Sequence, residues 1–290
     1  DAAHHLLELF TAYDIPCTWA TVGAMLAQDK DEFLQFAPEE TMRPTYVDSN
    51  ISPYKQMGSI IKANNDAFFC PEFIQKILNA PNQELGSHTF SHFYCLEDGQ
   101  TLNQFIADLQ AAQRIATKFN HSNTSMVFPR NQINEEYLLS MLAQGFNSFR
   151  GGEQSYVWKP KSRKNRTAWI RMLRVADSYI SLSRDNIHQN PKLTNSGLVN
   201  IPSSRFLRPF SIIDAVFRDC KKRKLKQELS LATQMEGMYH LWFHPMNFVE
   251  NSKQNMSMLL DFIQHVIELR SQQSINVKTM NMLASEHIEN

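Results

Sequence analysis

Short apolar segments rich in β-branched and aromatic residues alternate along this chain with amphipathic stretches, and that alternation constrains the fold more than any single motif. Ile15 to Val22 reads as a buried strand closed by Gly23. Further strands are expected at Ser125–Phe128, Phe146–Phe149, Ile170–Ala176, Gly197–Pro202, Met238–Phe243 and Ile275–Val277, with a short apolar run before Gly86. Between them lie helical periods. Leu6, Leu7, Leu9 and Phe10 share one side of a helix ending near Tyr13-Asp14, and residues 24–36 carry a second period. Pro71 opens a helix with Phe73, Ile74, Ile77 and Leu78 on one face. Thr101, with Gln104 three residues on, forms a capping-box pattern ahead of Leu102, Phe105, Ile106 and Leu109. Tyr137 to Leu142 ends at Gly145, and residues 254–270 are strongly amphipathic. Strands joined through helices call for a parallel sheet. Seven or so such units, with no Gly-x-Gly-x-x-Gly or P-loop pattern, favour an α/β barrel over a nucleotide-binding doubly wound sheet. The 290 residues suit a single domain of that kind.

Composition excludes several classes. With 29 basic and 29 acidic residues the net charge is zero, which gives no field for nucleic acid. Four scattered cysteines without a CxxC pair read as reduced thiols of a cytoplasmic protein. No apolar run is long enough to span a membrane. The N-terminus, Asp-Ala-Ala-His-His, shows no signal-peptide pattern, lacks Met and opens directly into a helix, so the chain is expected to be truncated there. Two basic runs stand out. One extends from Trp158 to Arg174, and Lys221-Lys-Arg-Lys224 is placed at a helix end. Each reads as a solvated face, or else as a site for an anionic ligand or membrane surface. A long polar loop is expected from Pro38 to Pro53.

The polar residues that stand out follow strands: His88 and His92, Arg130, Asp177 and His244. A His-x-x-x-His pair by itself is as much a surface loop as a pair of metal ligands, although neutral imidazole suits zinc and similar ions. The carboxyl ends of parallel strands form one face of a barrel, and active sites are built there. The five residues are therefore expected to converge.

These residues carry a resemblance. Leu85-Gly-Ser-His88-Thr-Phe-Ser-His92 resembles the second motif of the polysaccharide deacetylase (NodB-homology) family. Cys17-Thr-Trp-Ala-Thr-Val-Gly23 is similar to its Ala-Thr-Phe-Phe strand, Phe128-Pro-Arg130-Asn-Gln to its arginine motif, and Leu241-Trp-Phe-His244-Pro245 to its last motif. The order holds from residue 6 to about residue 285. With Asp177-Ser-Tyr, the set resembles a branch associated with surface-polysaccharide biosynthesis. The resemblance implies a distorted (β/α)7 barrel over residues 1–290. It implies a divalent metal (zinc foremost, with cobalt, nickel or manganese as alternatives) on His88 and His92. His244 would be the general acid, Arg130 would orient the catalytic carboxylate, and Asp177 would bias the protonation of His244.

One element of the pattern is missing. The family's first motif carries an Asp pair that supplies the base and the third metal ligand, and Asp1 is the only carboxylate before the first helix. The motif lies upstream or has been lost. The leading expectation is a metal-dependent hydrolase removing the N-acetyl group of an amino sugar in polysaccharide assembly, with a nucleotide- or lipid-linked glycan as substrate. The alternatives are a non-catalytic carbohydrate-binding relative and a hydrolase of a non-sugar C–N bond.

Overall fold

The computed structural model describes residues 2–62, 68–153, 168–180, 187–189 and 191–288. Four parallel strands run in spatial order through the first half of the chain: β1 (Cys17–Thr21), β2 (Gln83–Ser87), β3 (Ser125–Met126) and β4 (Ser148–Gly151). β6 (Val199–Pro202) continues the parallel set beside β4, and β5 (Lys192–Leu193) closes the sheet as an antiparallel edge. β7 (Arg205–Phe206) and β8 (Leu241–Trp242) form a second, parallel pair. The expectation of a parallel α/β fold is met in this form, a mostly parallel six-stranded sheet with a separate two-stranded one. Among the described residues the strand ladders form two sheets and no closed ring.

The connecting helices are α1 (Ala2–Ala12), α2 (Lys30–Phe36), α3 (Pro53–Lys62), α4 (Pro71–Asn79), α5 (Leu102–Ala116) and α6 (Leu138–Ala143), followed by α7 (Ala168–Ala176), α8 (Asp214–Gln234), α9 (Ser252–Ser271) and α10 (Met280–Ile288). Leu6, Leu7 and Phe10 of α1 are buried with Trp19, Ile74, Ile77, Ile115 and Phe262 in the largest core cluster. The capping box of α5 forms as its sequence requires. The Thr101 hydroxyl accepts from Gln104 N–H, and the Gln104 side chain accepts from Thr101 N–H. Gly145, at φ +88, ends α6 in the left-handed region. α10 is tied to the sheet through its first turn: Met280 N–H donates to the Thr18 hydroxyl and Asn281 N–H to the Glu84 carboxylate.

Four expectations change. Ile170–Ala176 lies inside helix α7, so Asp177 follows a helix and not a strand. A short apolar run with arginines at 171 and 174 fits either period. Ile275–Val277 joins no ladder among the described residues. Residues 24–36 divide into a 3-10 turn (Gly23–Leu26) and α2, which Asp29 caps by accepting from Glu32 N–H. The Lys221–Lys224 run sits within α8 rather than at its end, and two of its lysines are buried. Much of the other basic run, including Lys159, Lys161, Arg163, Lys164 and Arg166, lies outside the described residues.

Candidate metal centre

The chain leaves β2 at Ser87 and turns sharply. Thr89 and His92 both adopt positive φ, +62° and +65°, a conformation that costs non-glycine residues energy and persists only where the surroundings hold it. Here they do. The buried Asp108 carboxylate on α5 accepts the backbone N–H groups of Phe90 (2.7 Å) and Ser91 (3.2 Å). The Thr89 hydroxyl accepts Phe93 N–H, and the Tyr46 hydroxyl accepts Tyr94 N–H. On the other side, Gly23 and Ala24 donate to the carbonyls of Thr89 and Phe90. A Cβ on Gly23 would stand 3.1 Å from Phe90 Cα, so that close approach favours glycine. Burial raises the Asp108 carboxyl to about 6, against the lowering effect of the hydrogen bonds it accepts.

This turn presents two imidazoles with ring centroids 4.9 Å apart. Nδ1 of His88 is 2.6 Å from the Val127 carbonyl oxygen on the neighbouring strand. A carbonyl only accepts, so Nδ1 carries the proton and Nε2 keeps its lone pair. Nδ1 of His92 is 3.1 Å from the Tyr94 hydroxyl. Burial pushes the His88 pKa well below the ordinary value, with His92 adding to the effect. The His92 pKa falls to about 4, through burial and then the Arg130 charge. Both rings are neutral at pH 7, which is the ligating form.

Arg130 stands in the turn Pro129–Asn131 after β3, at φ +55. Its guanidinium lies 4.1 Å over the Tyr94 ring and 3.8 Å from the Glu97 carboxylate. His244 follows β8; its side chain reaches solvent but is partly desolvated by the protein around it, with its ring 5.6 Å from Trp242 and 5.9 Å from Phe206. His244 acts electrostatically on both His88 and His92, and the Trp242 ring beside it lies against Arg150, whose charge also acts on His88. The His244 pKa is lowered by burial and then by Arg150. Of the five residues expected at strand ends, His88 and His92 are in ring contact, and Arg130 and His244 act on them electrostatically.

Asp177 differs. Its buried carboxylate pairs with Arg205 (2.6 Å) and Lys224 (3.6 Å), and Arg205 also pairs with Glu228. The charge that acts on His244 is the Arg150 guanidinium. Asp177 is thus a member of a buried ionic network joining α7, β7 and α8, because it caps a helix end and does not close a strand.

Arg150 was not singled out in the sequence. It occupies the end of β4 and is 9% exposed; it donates to Asn131 Oδ1 at 2.5 Å and lies 4.2 Å over the Trp242 ring. Burial lowers its pKa to about 9, and its Nε has no partner among the described residues. Its charge acts on His88, His240 and His244. The signal available in the sequence was its position, directly after an apolar strand.

The donor set fits a divalent ion in part. Two neutral imidazoles, one with Nε2 left free by a carbonyl hydrogen bond on its other nitrogen, match the usual outer-shell arrangement of metal-binding histidine. Among the described residues no group of three or more His, Cys, Asp or Glu is arranged to hold a metal, and Asp1 lies outside them.

Fold and site together define an α/β protein with a histidine and arginine basin at the carboxyl edge of a parallel sheet. No protein-family profile and no curated protein matches the sequence. The fold is similar to the crystal structure of a "putative polysaccharide deacetylase" from Mycobacterium smegmatis, with a TM-score of 0.59, 13% identity, and 99% of this chain and 77% of that chain covered. At that identity the likeness is one of fold.

Proposed function

We propose that the chain is a metal-dependent deacetylase of the polysaccharide deacetylase type, on a distorted (β/α)7 barrel. It would hydrolyse the N-acetyl group of an amino sugar, carried on a nucleotide- or lipid-linked glycan of surface-polysaccharide assembly. The observation that carries this reading is the pair of neutral imidazoles, His88 and His92, with His244 near enough to act on both electrostatically. His88 and His92 would hold the ion, zinc foremost, with cobalt, nickel or manganese suited by the same donors. A bound divalent ion polarises the acetamide carbonyl and lowers the pKa of its water.

The chain's own residues do the rest. Arg130, which acts on His92, supplies positive potential for the catalytic carboxylate. His244 is neutral at rest, because burial and Arg150 lower its pKa. As water adds to the amide carbonyl, His244 would take up the proton that the water loses and pass it to the amine nitrogen as the C–N bond breaks, for an unprotonated amine is a poor leaving group. The lowered pKa makes the protonated ring a stronger acid for that transfer. Asp108, through the backbone of Phe90 and Ser91, keeps the histidine turn in place.

A second reading, a non-catalytic carbohydrate-binding protein, draws support from the absence of a three-ligand group among the described residues. Metal content separates the two. The full-length gene product, purified without chelator, should hold one divalent ion per chain and release acetate from a member of an N-acetylhexosamine panel. His88→Ala should lose the ion; His244→Ala should keep the ion and lose turnover. A metal-free protein that still binds glycan selects the second reading.

A further inference from the structure

The N-terminal end of α8 carries apolar side chains that the fold leaves in water. Ile212 is 89% exposed, Val216 78%, Phe217 49% and Ile213 41%. Backbone hydrogen bonds from Ala215, Val216 and Phe217 back to Ile212 and Ile213 make one turn ahead of a kink at Phe217, so Ile212 and Val216, and likewise Ile213 and Phe217, stand one turn apart. The Tyr179 ring lies 6.1 Å from Phe217, and Ile180, also exposed, follows it. Isolated exposed aliphatics are ordinary, but a contiguous group of this size marks an interaction surface.

The same helix brings cations. Between Asp214 and Gln227 it holds Arg218, Lys221, Lys222, Arg223, Lys224 and Lys226 against Asp214 and Asp219. Two of these are used inside the protein: Lys221 pairs with buried Asp214 at 3.1 Å, and Lys224 with Asp177 at 3.6 Å. Arg218 donates to the Ser257 hydroxyl on α9 and its Nε is buried, while Lys222, Arg223 and Lys226 reach solvent, offset by Asp219 and by Asp261, which pairs with Lys222 and Lys226. An apolar face bordered by net positive charge complements a surface that is apolar below and anionic above, with long basic side chains reaching up to the head groups. No described helix is long and apolar enough to cross a membrane, so any contact is lateral.

This face is joined to the candidate site. Asn255 on α9, itself buried, accepts Phe210 N–H at 2.6 Å and donates to the carbonyls of Asn247 and Glu250 at 2.8 Å each. One side chain thus ties the segment leading into Ile212 to the segment following His244. That second segment exposes Met246 (75%) and Val249 (69%).

We propose that Ile212, Ile213, Val216 and Phe217, with Lys222 and Arg223 following on the same helix, form a docking surface for an anionic lipid bilayer, on which the protein rests with the His244 segment close to the membrane plane. The docking stands independently of the hydrolytic reading, and its test contains no activity measurement. The full chain is sedimented with vesicles of phosphatidylcholine alone and with about 30 mol% phosphatidylglycerol added. Binding is expected with the anionic vesicles and should weaken as salt rises. The double variant Ile212→Asp, Val216→Asp should lose about tenfold or more in vesicle affinity. Both positions face water, so its thermal melting should match the parent. Lys222→Glu with Arg223→Glu should weaken binding to anionic vesicles only. Absence of binding to either vesicle overturns the proposal, as does equal binding by the aspartate variant. Self-association that disappears in that variant, without vesicle binding, assigns the face to a second copy of the chain and also overturns it.

Discussion

Nδ1 of His88 lies 2.6 Å from the carbonyl oxygen of Val127, and this hydrogen bond decides which nitrogen of the ring faces the basin. Val127 stands one residue past β3, on the strand beside β2, so the bond exists because the two strands are parallel neighbours in register at Ser87 and Met126. A backbone carbonyl cannot be removed by substitution. The tautomer is therefore built into the sheet.

Asp108→Ala tests the support of the histidine turn. It leaves the buried N–H groups of Phe90 and Ser91 without their acceptor. Each unsatisfied group costs about 1–3 kcal/mol, so urea unfolding should show a loss on the order of 2–5 kcal/mol. Divalent-ion affinity should fall with it. A variant as stable as the parent would mean that water or a shifted side chain replaces the carboxylate.

Arg150→Gln tests the electrostatic control of His244. The guanidinium charge contributes to the lowering of the His244 pKa, so its removal should raise that pKa toward the ordinary histidine value. NMR titration of the imidazole reads this directly. If the titration midpoint stays where it was, burial alone sets it.

Asp177→Asn separates structure from catalysis. Removing one carboxylate from the buried set around Arg205 and Lys224 should destabilise the protein by about 3–5 kcal/mol. The pH profile of acetate release should keep its midpoint. A shifted midpoint at unchanged stability would return Asp177 to the role its sequence position suggested.

Glu153 gives the fold a pH dependence. Burial raises its carboxyl to about 8, opposed by the nearby Arg205 charge. The folded state therefore holds a proton that the unfolded chain releases. The sign follows: this stability is fully present below the unfolded value of 4.5 and is lost as pH rises through about 8. Glu153→Gln should flatten that decline, measured as the unfolding midpoint in urea from pH 5 to pH 9. An equal decline in the variant would assign it to another group.

The alternation of apolar strands with amphipathic helices was enough to call for a parallel α/β fold, since burial on both faces of the sheet writes itself into local sequence. The capping box at Thr101 and the glycine ending α6 were legible for the same reason: they are contacts between near neighbours. His88, His92, Arg130 and His244 could be picked out because each follows an apolar strand. What lay beyond local sequence were matters of long-range packing. Ile170–Ala176 has too few residues for its period to separate strand from helix, and it folds as part of a helix. Asp177 became an ionic partner of Arg205, 28 residues away, and Arg150 entered the basin because β4 lies beside β3 and faces Trp242. Sequence marked most of the strands and, except at Asp177, the polar residues that stand at their ends. The tertiary structure decided which charges meet there, because ion pairs and pKa values depend on distance and burial in space rather than on separation along the chain.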